Sequence, residues 1–143
     1  MPKPLLDLES EFGARAERRL REDIIGWLVT VNSQGGPQPR PVWFIWDGET
    51  LLVYSIPGRA KVRHIEGNPA VALHLETGEN GEDVVIVTGT AALDTSAPPI
   101  DKNQAYLDKY GEEIKRIGFE EACGMAEQYS VAIRIIPGSI RSF

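Results

Sequence analysis

The sequence predicts an α+β fold, a six-stranded antiparallel β-barrel with flanking helices. Three observations carry that expectation. Runs of β-branched and aromatic residues succeed one another through turn-rich stretches, as in consecutive hairpins. Only one short basic segment interrupts them, so few long crossovers are available. Helical spacing is confined to Ser10–Asp23 and to the stretch after Pro99. Six strands with alternating faces can remove their unpaired edges by curling into a barrel.

The stretch SEFGARAERRLRED, from Ser10 to Asp23, offers a cap at Ser10 and places Phe12, Ala16 and Leu20 at helical intervals among arginines. It reads as a solvent-facing first helix. β-Formers at Trp27–Val31 and Val42–Trp46 flank a turn-rich centre, Asn32 to Gly36, which predicts a hairpin. Asp47-Gly48 turns the chain into TLLVYS, and AVALHLE reads as a fourth strand. Val84–Leu93 is the longest strand candidate, with Gly89 a bulge or close-approach point. After the break at SAPP, Tyr106, Tyr110, Ile114 and Ile117 recur at helical intervals, and Ser130–Pro137 supplies the sixth strand, followed by SIRSF as a short extended tail.

At 143 residues the chain is the size of one ordinary domain, and one domain over residues 1–143 is expected. Hydrophobic residues at 42% and charged residues at 25% are globular values, against disorder or a fibrous repeat. The 15 basic and 21 acidic residues give a net charge of -6, which opposes any general attraction to nucleic acid or anionic lipid. With Cys123 the only cysteine and His64 and His74 the only histidines, neither an intrachain disulfide nor a zinc site is expected. The N-terminal stretch lacks the apolar core of an export signal, and no run of about 18 apolar residues could span a bilayer, so the expected location is cytoplasmic.

Against that acidic background, YSIPGRAKVRHIEGNP concentrates Arg59, Lys61, Arg63 and His64 directly after a strand and a Pro-Gly turn. One reading is a solvated helix face. The other is an anion site, in which the first turn of a short helix presents backbone N–H groups and cations, with Ser55 as a hydroxyl donor. Val62 and Ile65 would hold the helix to the barrel, and Asn68-Pro69 would end it. His64 is expected on the helix surface without a catalytic role, His74 is assigned none, and Cys123 is expected to be a small buried hydrophobe. Dinucleotide, P-loop, serine-hydrolase elbow and zinc-protease signatures are all missing.

Pro41-Val42-Trp43-Phe44, Asp47-Gly48, Tyr54-Ser55, GRAKVRHI, Asn68-Pro69 and VTGTAAL together resemble the FMN-binding split-barrel superfamily of pyridoxamine 5'-phosphate oxidase and its deazaflavin-using relatives. The match is best over residues 20 to 95 and extends to the closing AIRIIPGSIRSF. The resemblance implies a split barrel in which Ser55, Arg59, Lys61 and Arg63 hold the cofactor phosphate. Val42, Trp43 and Phe44 would contact the tricyclic ring, Tyr54 the ring or ribityl chain, and Arg40 the ring or substrate. It names no catalytic residue.

The resemblance further implies an oxidoreductase that binds FMN, or alternatively the deazaflavin coenzyme F-420, at a homodimer interface and acts on a small organic substrate. Arg141 and Phe143 are candidates for reaching across that interface. The chain is shorter than pyridoxamine phosphate oxidase and lacks its arginine-rich C-terminal elements, so vitamin B6 oxidation is not implied. A non-catalytic flavin carrier and a haem-binding split barrel stay open as alternatives, the latter with His64, His74, Cys123 or a tyrosine as axial ligand.

Overall fold

The computed structural model describes residues 4–143; the first three residues of the expected domain lie outside it. Helix α1 (Glu11–Glu22) is capped by the Ser10 hydroxyl, which accepts from the Gly13 N–H at 3.0 Å. The strands are β1 (Gly26–Val31), β2 (Pro37–Val42), β3 (Ile45–Trp46), β4 (Leu51–Ser55), β5 (Ala70–Leu75), β6 (Val85–Leu93) and β7 (Val131–Ser142). Helix α2 (Ala60–Gly67) lies between β4 and β5; α3 (Gln104–Arg116) and α4 (Ala122–Gln128) lie between β6 and β7. No helix among the described residues is long and apolar enough to cross a membrane.

All seven strands form one antiparallel sheet in the order β2-β1-β5-β6-β7-β4-β3. Its two edge strands are consecutive in sequence, with only Trp43 and Phe44 between them. Three Cα–Cα steps reach at most about 11 Å, whereas six strand spacings laid flat would separate the edges by roughly 29 Å. The sheet must therefore curl until β2 and β3 approach one another, and because they do not pair, the barrel stays split at that point.

The strand count is seven where six were expected. The expected strand Val42–Trp46 is divided: β1 pairs instead with PQPRPV, from Val31↔Pro37 to Gly26↔Val42. Pro37, Pro39 and Pro41 occupy alternate positions of an edge strand, so their missing N–H groups fall on the side away from β1. The tail also differs, because SIRSF continues β7 against β6, which makes β7 the longest strand. Gly89 does mark the bulge, since a Cβ there would sit 2.1 Å from the Ile136 carbonyl oxygen.

Alternation sorts side chains into two cores. Phe44, Leu51, Val53, Leu73, Val87, Ile133 and Ile135 fill the barrel, joined by Ala16 and Leu20 of α1 and Val62 and Ile65 of α2. Outside the wall, Leu52, Tyr54 and Ala132 pack against Tyr106, Tyr110 and Ile114 of α3 and Met125 of α4. β4 is thus buried on both faces, which explains the unbroken apolar run in LLVYS. Phe12, by contrast, is exposed on α1.

Candidate functional site

The chain leaves β4 through Ile56-Pro57-Gly58-Arg59, where the Arg59 N–H donates to the Ile56 carbonyl at 3.3 Å and Gly58 takes φ +78°. This is the type II geometry that Pro-Gly favours. It sets Arg59 at the N-cap of α2 and Lys61 in its first turn. No side chain caps that end, and among the described residues the Ala60 and Lys61 amides have no acceptor. Val62 and Ile65 seat the helix on the barrel core as expected.

Lys61 is half-buried. Burial lowers its pKa from the ordinary lysine value, and the charges of Arg59 and Arg40 push in the same direction. Arg15, Arg19, Arg21, Arg116 and Arg134 are each paired with a carboxylate; among the described residues Arg40, Arg59 and Lys61 are not. Three cations gathered without a counter-charge, one of them partly desolvated, cost free energy that a bound anion would offset.

Lys61 opens onto a cleft of ≈ 310 Å³. Pro41, Val42 and Trp43 line it where the chain crosses the split, and Ile117, Met125 and Tyr129 line it from the α3 and α4 side, with Tyr54 and Tyr106 also in its wall. The Trp43 ring lies on Tyr110 with centroids 4.7 Å apart and planes 7° from parallel. Tyr110 is itself fixed: its hydroxyl accepts from the Phe44 N–H at 2.8 Å and has the carbonyls of Ile24 and Phe44 at 2.7 and 2.9 Å for its proton. Lys109 Nζ donates to the Phe44 carbonyl at 2.9 Å and lies 3.9 Å above the Phe44 ring centroid. The platform is therefore held rigidly from beneath.

The structure brings Val42, Trp43, Tyr54 and Lys61 together around this cleft, with Arg40 and Arg59 close enough to act on the Lys61 charge. Tyr54 presents its ring, because its hydroxyl donates to the Pro98 carbonyl and accepts from Asn103 Nδ2 at 2.9 Å. Ser55 is almost fully buried beside it. Phe44 points into the barrel with no exposure, and Arg63 donates to the Gly58 carbonyl and lines a separate groove with Asn32, His64 and Asn68. Neither lines the cleft.

His64 fastens α2 to β1 through a 2.8 Å hydrogen bond between Nδ1 and the buried Thr30 hydroxyl, and His74 lies stacked on Trp27. Cys123 corrects its expectation. It is exposed, and its hydrogen bond to Glu121 raises the thiol pKa, which disfavours the reactive thiolate. Sequence reasoning also missed Tyr106, Met125 and Tyr129 as cleft residues; helical spacing marked Tyr106 as buried but could not say what its hydroxyl would meet.

The sequence profile of pyridoxamine 5'-phosphate oxidase matches residues 12–142. The chain belongs to the pyridoxamine 5'-phosphate oxidase family. Among solved structures of similar fold, an F-420 reductase is 28% identical, with a TM-score of 0.68 over 87% of this chain and 94% of its own. General Stress Protein 26 from Bacillus anthracis is 22% identical (TM-score 0.67; 91% of this chain, 92% of its own). The haem storage protein HutZ from Vibrio cholerae is 16% identical (TM-score 0.65; 93% and 95%). The last two show shared architecture alone. No curated protein matches the chain. Pyridoxamine 5'-phosphate oxidase-like architecture thus accounts for the split, antiparallel barrel and its flanking helices.

Proposed function

We propose that this protein is an oxidoreductase that binds a tricyclic ribityl-phosphate coenzyme, F-420 or FMN, and acts on a small organic substrate. The observation that carries the reading is the unpaired cation group of Arg40, Arg59 and Lys61, at an uncapped helix start beside an apolar, aromatic cleft. A phosphate suits the first and a planar ring suits the second. Ser55 lies just before the turn, but it is buried outside the cleft lining and its hydroxyl donates to the Ile56 carbonyl at 3.4 Å, so a phosphate would have to displace that contact to use it. Such a coenzyme supplies hydride chemistry when bound, and the chain's part is to hold the phosphate, orient the ring against Val42 and Trp43, and exclude water.

The sequence alone ranks FMN first; the 28% likeness to an F-420 reductase moves the deazaflavin ahead of it. Of the axial ligands open to haem, His64, His74 and Cys123 lie outside the cleft lining, which leaves only its tyrosines, Tyr54, Tyr106 and Tyr129, among the described residues. One such domain per chain and a homodimer complete the proposal. Arg141 and Phe143 sit at the exposed end of β7, where Phe143 exchanges backbone hydrogen bonds with Val84, so any reach across the interface is by side chain.

Parallel titration of the purified protein with F-420 and with FMN tests the reading. Saturable binding of one is expected, and binding of neither overturns it. Lys61→Ala should weaken that binding about tenfold to hundredfold, since a charge-assisted hydrogen bond contributes roughly 1.5–3 kcal/mol. Thermal stability should not fall, because the substitution removes a cation that has no protein partner. Unchanged affinity would return the basic segment to a solvated helix face.

A further inference from the structure

We infer that the Tyr106 hydroxyl is a ligand-binding donor, placed to hydrogen-bond a carbonyl oxygen on a planar ring in the cleft. Three tyrosines meet behind the cleft: Tyr54 and Tyr106 pack edge to face at 5.0 Å, and Tyr106 and Tyr110 lie 4.9 Å apart. The hydroxyls of Tyr54 and Tyr110 are occupied by protein partners. That of Tyr106 has none among the described residues, although the residue is only 1% exposed. Among the described residues, every side-chain oxygen or nitrogen wholly shut off from the surface does have a partner. The Tyr106 oxygen is therefore not shut off, and the surface this residue lines is the cleft.

A phenylalanine would satisfy the packing between Tyr54 and Tyr110 without burying a polar atom. The hydroxyl thus adds a desolvation cost and returns no internal bond. Tyr129 also lacks a protein partner for its hydroxyl among the described residues but is partly exposed, where bulk water can serve it; Tyr106, 1% exposed, reaches outward only through the cleft. Burial, reinforced by the neighbouring phenols, holds the Tyr106 proton well above the ordinary phenol range, so the group donates and does not act as a base. Ile25, Val42, Ile117 and Met125 make the surrounding wall apolar, and among the described residues Lys61 is the one charged side chain lining it and no carboxylate does. An acceptor oxygen on a flat ring is what this arrangement recognises.

That oxygen can belong to a ring carbonyl of the coenzyme or to a carbonyl of the substrate, and only the coenzyme source rests on the function proposed above. Tyr106→Phe separates them. The variant loses no bond within the protein, so its thermal midpoint should equal or exceed that of the wild type. Dissociation constants are measured on both proteins for F-420, for FMN, and, without coenzyme, for 1-indanone and its hydrocarbon analogue indane. A two- to tenfold loss of coenzyme affinity assigns the oxygen to the coenzyme ring, the range following from about 0.5–1.5 kcal/mol for a neutral hydrogen bond. A wild-type preference for the ketone that Tyr106→Phe abolishes, with coenzyme affinity unchanged, assigns it to the substrate.

Coenzyme affinities that do not change, together with a ketone preference that is missing or survives the substitution, overturn the inference. Failure of both coenzymes to bind the wild type would sink the proposed function instead, and the indanone pair would still decide for or against Tyr106.

Discussion

Lys109 carries an ammonium into a half-buried position over the Phe44 and Tyr110 rings, and burial lowers its pKa to about 8. Below that pH both folded and unfolded chains hold the proton, and the penalty is fully present. Between about 8 and 10.4 the unfolded chain binds more protons, so stability should rise with pH there. Screening by water at a half-exposed group limits the gain to about 1–2 kcal/mol. Urea denaturation at pH 7.5 and 9.5 should show it, and Lys109→Met should flatten the difference; a wild-type slope surviving in the variant would assign it elsewhere. The nearby Tyr110→Phe change should cost about 1–3 kcal/mol, because it strands the buried Phe44 N–H, whereas Tyr106→Phe strands nothing. Sequence could place Tyr106 and Tyr110 on one face of a helix and Tyr54 at the end of a strand. It could not distinguish an occupied hydroxyl from a free one, because their partners, Pro98, Asn103, Ile24 and Phe44, come from distant segments.

Between elements, the bulge at Thr88/Gly89 joins the two longest strands and lets β7 run from the α3 and α4 side to the far end of the sheet. Gly89→Ala would push a methyl group against the Ile136 carbonyl and Pro137, neither of which is a flexible side chain that can move aside. A loss of about 1–3 kcal/mol is expected, with faster amide exchange concentrated in β6 and β7; uniform exchange across the sheet would contradict a local clash. Helix α1 and the basic segment were legible because capping, turn residues and 3.6-residue spacing are local signals. The division of β2 from β3 was not. β-Propensity favours VWFIW over PQPRPV, and only the knowledge that β2 is an edge strand makes alternate prolines acceptable there. Most of the candidate anion site was legible for the same reason as the helix that carries it, since the turn, the cap, Arg59 and Lys61 lie within seven residues, Ser55 to Lys61, with only Arg40 coming from a separate strand. The α3 and α4 wall of the cleft lies more than 40 residues away and left no local trace.

At the scale of the molecule, helices leave one face of the barrel bare. Across β1, β5, β6 and β7 the register aligns Trp27, His74, Ile86 and Arg141 in one outward row, and Val29, Ala72, Thr88 and Ser139 in the next. Ile136 extends this surface and is 57% exposed. A broad face rich in Trp, Val, Ile and Ala suits a self-complementary contact around a two-fold axis, where each residue meets its own copy or a near neighbour. Sedimentation equilibrium should therefore give about twice the 15.8 kDa chain mass. Ile86→Asp places a charge at the middle of that face, and since its side chain is outside the barrel core the fold should survive. Dissociation to the single-chain mass is expected, because a carboxylate taken out of water in such a contact costs several kcal/mol even with Arg141 opposite it on β7. If the coenzyme site is completed by the second chain, coenzyme affinity should fall with the dimer and recover at protein concentrations high enough to restore it. A monomeric Ile86→Asp variant that binds coenzyme as the wild type does would instead make the cleft of a single chain sufficient.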